Sequence, residues 1–274
     1  MTAVAPTPHP VPSPSPLPQA DVLGIPLALS DYEGTMDWID AMIASGTRGY
    51  LTAAAVHLVM VAQEDEATRD AVLGASLAVP DGQPLVWALH ALGHSKATSS
   101  RVYGPELMAR YCERAAATGL RMYLYGGRNQ GALVALARNL RERYPGIRIV
   151  GGYAPPFTPP TPVEDDWIVE QINASRADVV WVGTGQPKQE KWMGRLRERL
   201  DVPMLIGVGA AFDFHAGLVP QAPAWMQSLG LEWTYRLGHE PRRLWRRYAR
   251  YNPRFVIGFA RQYAAHRSRL AAEH

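Results

Sequence analysis

The residues best suited to chemistry fall just after short apolar runs. Val79-Pro80-Asp81-Gly82 puts one carboxylate between such a run and a helical stretch. An aspartate there can take a proton from a substrate hydroxyl, or it can cap the helix that begins at Gln83 within an Asp-Gly turn. Gly183-Thr184-Gly185-Gln186-Pro187-Lys188-Gln189-Glu190 joins another apolar run to a helix with proline at its start. Free N–H groups at a helix N-terminus favour an anion, and Lys188 adds positive charge beside them. Gly207-Val208-Gly209-Ala210-Ala211-Phe212 carries two glycines of a dinucleotide fingerprint. Phe212 replaces the third and the run comes late in the chain, which argues against a dehydrogenase. Asp213 and His215 follow, but two groups do not make a metal site, and no Asp-x-Asp occurs anywhere.

A second chemical signal is charge. Residues 231–274 hold ten arginines, no lysine and three glutamates, a net of +7, whereas the preceding 230 residues carry a net of −4. An acidic body with a basic end calls for phosphate, an anionic membrane or nucleic acid as partner. With Pro241 starting a helix, Arg243, Arg246, Arg247 and Arg250 share one face, and Leu244, Tyr248 and Tyr251 share another. Arginine forks suit phosphate oxygens, and aromatic–aliphatic faces suit a membrane interface.

The elements that must position these residues alternate along the chain. Apolar or β-branched runs occur at 22–29, 49–52, 76–79, 121–125, 147–150, 178–182 and 203–208. Helical patterns lie at 31–45, 54–73, 83–92, 105–118, 130–144, 163–175 and 188–200. That alternation predicts an α/β fold, a Rossmann-like, mainly parallel sheet with helices on both faces. Ligands of such sheets bind beyond the carboxyl ends of the strands, where Thr52, Asp81, Gly126, Gly183 and Gly207 fall in this chain.

The remaining composition bounds the problem. Of 274 residues, 47% are apolar and 19% charged, too apolar a mixture for global disorder. The seven prolines at every second position from Pro6 to Pro18 cannot continue a helix or a ladder, so residues 1–20 are expected to be an extended, disordered tail. Residues 21–230 are then the α/β core and 231–274 a basic helical appendage. The single cysteine, Cys112, excludes an internal disulfide and reads as a buried structural thiol in a reducing compartment. No apolar run reaches the roughly 18–20 residues of a membrane span.

Several motifs in register resemble the WecG/TagA/CpsF glycosyltransferase family. They are Val-Pro-Asp-Gly at 79–82, Arg-Val-Tyr-Gly-Pro at 101–105, Gly-Gln-Pro-Lys-Gln-Glu at 185–190 and Gly-Val-Gly-Ala-Ala-Phe-Asp-Phe-His-Ala-Gly at 207–217. Ala-Pro-Ala-Trp at 222–225, Leu-Glu-Trp-Thr-Tyr-Arg-Leu at 231–237 and Glu-Pro-Arg-Arg-Leu-Trp-Arg-Arg-Tyr at 240–248 extend the match over roughly residues 20–250. The resemblance implies inverting transfer of a sugar from a UDP-sugar to a polyprenyl-diphosphate-linked saccharide, without a metal or other cofactor. It implies a place on the cytoplasmic membrane face, in the synthesis of envelope polysaccharide or exopolysaccharide. It makes Asp81 the base and Gln189, Arg236, Arg243 and Arg246 donor contacts. Thr52, Gly126, Gly183, Gly185, Lys188 and Glu190 join them as expected substrate-binding positions. The basic face is then assigned to donor and anionic membrane rather than to nucleic acid, and homo-oligomerisation stays open. Thr52-Ala53-Ala54 departs from the family's Thr-x-Asn, so the transferred sugar is not assigned, and Gln221-Ala222-Pro223 departs from its Arg-Ala-Pro, which removes one phosphate contact. A rival from another class is a non-catalytic sensor or scaffold that holds a nucleotide in the same crevice.

Overall fold

A computed structural model describes residues 13–98 and 100–272. Its centre is a six-stranded parallel sheet, built from β3 (Gly49–Ala54), β4 (Leu77–Pro80), β5 (Arg121–Gly126), β6 (Arg148–Tyr153), β7 (Val179–Gly183) and β8 (Met204–Gly207) in the order β4-β3-β8-β7-β5-β6. The central strands are buried on both faces, as a parallel sheet covered by crossover helices requires. Alternate side chains go to opposite layers. Leu51, Leu124, Trp181 and Ile206 pack under α1 (Tyr32–Ser45), α5 (Gly104–Thr118) and α6 (Gln130–Arg143). Tyr50, Tyr123, Val182 and Leu205 pack under α7 (Pro162–Ser175) and α8 (Lys188–Leu196).

Local chemistry sets the helix starts. Asp31 caps α1 by accepting from the Gly34 N–H at 2.9 Å, and Thr161 and Glu164 form a reciprocal capping box on α7. The helical pattern over 54–73 is two helices, α2 (Val56–Val61) and α3 (Glu66–Leu73). Asp65 divides them, because its side chain accepts from the Thr68 N–H and starts a new helix. Cys112 is fully buried, and burial pushes its thiol up to about 12, as a structural thiol requires.

The run at 22–29 is not one strand. It forms an antiparallel hairpin of β1 (Gln19–Val22) and β2 (Ile25–Ala28), turning at Leu23 and Gly24, both with positive φ. β1 thus begins inside the segment expected to be disordered, and the Leu29 N–H also bonds the Pro18 carbonyl at 2.8 Å. Residues 1–12 of that segment lie outside the described residues.

The chain then continues through α9 (Ala211–His215), α10 (Ala224–Ser228), α11 (Glu232–His239) and the long α12 (Pro241–Ala272), with α4 (Gln83–Ala91) on the neighbouring side. The α12 helix is tied to the body. Phe255 enters the cluster formed by the hairpin, α2 and α4, and the Leu23 N–H bonds Gln262 Oε1 at 2.9 Å. Arg250 and Arg254 both pair with Glu64.

Candidate active site

The carboxyl ends of the strands open into a cleft of about 1160 Å³ that extends under α11 and α12. Close backbone approach makes its floor. A Cβ on Gly183 would overlap the Phe212 ring, and one on Gly126 would collide with the Gly183 backbone. Gly185 follows with φ of +83°, a conformation glycine adopts without strain. The floor therefore exposes backbone rather than side chains to a ligand.

Asp81 stands at the end of β4 and lines the cleft. It does not cap α4: Gly82 is the N-cap residue and no side chain bonds there. Instead Asp81 Oδ1 accepts the Gly104 N–H at 2.7 Å, across the cleft floor at the start of α5. Burial raises its pKa from 3.8 to about 6. The Gly104 bond opposes that rise, Glu232 adds to it, and Arg101 and Arg236 oppose it. The result is a carboxyl poised to exchange a proton near neutrality.

Two other carboxylates on the cleft wall are paired with arginines. Glu232 on α11 accepts from Arg101 Nη1 at 2.9 Å and from the Tyr103 hydroxyl at 2.7 Å. Arg101 also donates to Gln227 Oε1 at 2.8 Å and lies over the Tyr103 ring at 4.2 Å. Asp213 accepts from Arg128 Nε at 3.0 Å, so it is not paired with His215, whose Nε2 lies 2.8 Å from the Pro105 carbonyl. Arg236, one turn beyond Glu232, lines the cleft over the Phe214 ring, and its buried Nε makes no hydrogen bond. Arg236 is thus close enough to Asp81 to depress its pKa while retaining donors for a ligand.

Gly183, Gly185, Lys188 and Arg236, four of the positions expected to bind substrate, line the cleft with Asp81. Thr52, Gln189 and Glu190 lie behind its wall instead. All three are fully buried, with Glu190 Oε1 accepting from Thr52 Oγ1 at 2.6 Å and from Gln189 Nε2 at 2.8 Å. Gln189 Oε1 in turn accepts the Gly209 N–H at 3.0 Å, so this cluster shapes the loop rather than presenting groups to a ligand. Gly126 serves strand packing in the same way. Arg246 is exposed, 5.5 Å over the Trp245 ring, because α12 turns that face outward; Arg247 takes its place on the cleft. The Arg243 side chain lies outside the described residues.

Sequence reasoning missed Arg101, Tyr103, Arg128, Glu232 and Arg247 as cleft residues. All but Arg128 stand in motifs quoted above, but nothing local shows that Arg101 reaches α11, 131 positions away. Among the described residues, no three His, Cys, Asp or Glu side chains gather as a metal cluster.

A crevice of paired arginines with one near-neutral aspartate suits attack on a phosphate-activated substrate. The model of the WecG/TagA/CpsF glycosyl transferase family matches residues 20–269. The chain belongs to the WecG/TagA/CpsF glycosyltransferase family. It is therefore a transferase of polysaccharide biosynthesis, with a nucleotide-sugar donor and an acceptor as its general substrates. The match runs from the hairpin through most of α12, so in this glycosyltransferase the basic C-terminal segment is part of the family unit.

Proposed function

We propose that this glycosyltransferase moves a sugar from UDP to a polyprenyl-diphosphate-linked acceptor, with inversion and without a metal. Asp81 carries the reading. It lines the cleft with a pKa of about 6 and makes no salt bridge among the described residues, whereas Asp213 and Glu232 are held by arginines. The acceptor hydroxyl gives its proton to Asp81 as its oxygen forms a bond to the anomeric carbon. The bond from that carbon to the β-phosphate oxygen breaks, and UDP leaves with the electron pair. Negative charge grows on the β-phosphate, and Arg236 supports it from α11 with donors already in place.

Membrane association fits the same reading. No described helix is long and apolar enough to cross a membrane. The C-terminal segment nevertheless exposes Trp233 and Trp245 among arginines, a composition suited to the interface of an anionic bilayer. The test is UDP release from a panel of UDP-sugars in the presence of a short-chain polyprenyl-diphosphate-linked saccharide, with the product's anomeric configuration determined by NMR. Release that depends on the acceptor supports the assignment; retention at the anomeric carbon or a lack of acceptor dependence overturns it. Transfer should persist in EDTA, and a loss restored by magnesium or manganese would refute the role given to Arg236.

A further inference from the structure

A second cavity lies outside the Asp81 cleft. Its volume of about 510 Å³ is in the range of small-molecule sites, and it sits between the last turn of α6 and the segment that follows α9. Gly217, with φ of +74°, turns the chain there. Asn139 Nδ2 donates to the His215 carbonyl at 2.9 Å, so the segment is fixed against the helix. Phe214 lines both spaces and stands between them. Gln221, where the chain departs from Arg-Ala-Pro, lines this pocket and not the cleft.

No acid lines this pocket among the described residues, and Arg143 gives it a positive charge. Arg143 makes no salt bridge among them; its guanidinium lies 5.3 Å from the Tyr144 ring centroid, a contact that leaves the in-plane donors for a ligand. His215 supplies the opposite polarity. A carbonyl can only accept, so Nε2 carries the proton that meets Pro105 at 2.8 Å. Burial holds the His215 pKa below its usual value; the Pro105 bond opposes this, Arg143 adds to it, and Glu106, itself held by Arg110 at 2.8 Å, opposes it. The ring is therefore neutral at pH 7, and Nδ1, without a partner among the described residues, is an acceptor. The amides of Asn139 and Gln221 add further donors and acceptors, and Leu140, Val219 and Pro220 form an apolar side.

A cationic fork, a neutral acceptor and two amides beside an apolar wall match a ligand that carries both a phosphate and hydroxyls. The phosphate meets Arg143, hydroxyls meet His215 and the amides, and a C–H face meets the apolar side. We propose that the pocket between α6 and the segment after α9 is a second ligand site, which takes a small hydroxylated anion of the sugar-phosphate class. The proposal does not rest on the transfer reading, because no group of the Asp81 cleft other than Phe214 belongs to the pocket.

The test is calorimetric binding of glucose 1-phosphate, inorganic phosphate and glucose to the full chain in phosphate-free buffer. Glucose 1-phosphate should bind at least about tenfold more tightly than either fragment, since only it uses both the fork and the acceptors. Arg143→Ala should weaken it about tenfold or more. Arg138→Ala, one turn away, exposed and off the pocket, and Arg236→Ala, in the cleft, should change it little. Arg143 and Gln221 are exposed, so neither substitution disturbs the core, and unfolding temperatures check that. Gln221→Arg adds a second cation to the pocket and should tighten binding about tenfold, a gain that misfolding cannot mimic. Equal effects of Arg143→Ala and Arg138→Ala overturn the proposal. So does a loss in Arg236→Ala as large as that in Arg143→Ala, which would place the ligand in the cleft. Equal affinity for glucose 1-phosphate and inorganic phosphate, or no saturation by about 10 mM, also overturns it.

Discussion

Replacing Asp81 with Asn should make the protein more stable and nearly inactive, and the two effects should separate with pH. The side-chain amide of Asp81→Asn keeps an oxygen to accept the Gly104 N–H, so the 2.7 Å bond survives. What disappears is the ionisation of a crowded carboxyl. Below about pH 4 the folded and unfolded chains both hold the proton, and the site costs nothing. Between about 4 and 6 the unfolded chain ionises while the folded site retains its proton, so stability falls as pH rises. Above about 6 the penalty is complete. A shift of about two units corresponds to about 3 kcal/mol, and contact with the open cleft lowers this to about 1–3 kcal/mol. Thermal unfolding of both proteins at pH 4 and pH 8 should show Asp81→Asn a few degrees higher at pH 8 and little changed at pH 4. Turnover should fall about 10²–10⁴-fold, with UDP affinity retained. An equal shift in unfolding temperature at the two pH values would refute the burial argument. Near-normal turnover would remove Asp81 from the mechanism.

Glu232→Gln should move the acidic limb of the pH–rate profile to lower pH, because it removes the negative charge beside Asp81 and frees Arg101 toward it, while Tyr32, Tyr103 and Arg236 stay in place. A merely structural role would lower rate at every pH and leave the midpoint where it was. Arg236→Ala should weaken UDP binding by calorimetry roughly tenfold or more, the order expected for loss of a charge-assisted contact, whereas Arg246→Ala should leave it unchanged. Removing residues 252–274 deletes buried Phe255 and the Gln262 bonds to the hairpin, so the unfolding temperature should fall by several degrees; an unchanged value would show that α12 contributes nothing to the body.

The parallel sheet and its crossover helices were legible because the apolar runs and helix patterns alternate and each strand end carries small residues. The hairpin was not, since Leu23 takes a left-handed conformation for which its type gives no signal. In the site, Asp81, Gly183, Gly185, Lys188 and Arg236 were readable from their places after strands or in the basic segment. Thr52, Gln189 and Glu190 share those strand-end motifs but point into the protein. Local spacing cannot show that direction; it depends on which side of the loop α8 packs. Helical spacing grouped Arg246 and Arg247 on one face, yet only the packing of Phe255 against the hairpin and α2 decides which of the two meets the cleft.

That packing also changes what the C-terminal segment is. A solvated basic tail would need no buried acid, but Glu232 lies buried between Arg101 and Tyr103. Breaking such a contact strands a buried charge, so α11 and the strand-end loop hold each other in one arrangement. The same contact brings a second negative charge toward Asp81 and places Arg236 one turn further along. On the proposed mechanism, seating α11 supplies two things at once: a cation for the departing phosphate and an acid that raises the pKa of Asp81. Both come from α11, whereas Asp81 follows β4, so neither part of the chain holds the whole set. On the mechanism proposed, turnover should therefore depend on docking of residues 231–248, and a surface that competes for this segment should lower the rate by displacing Glu232 and Arg236.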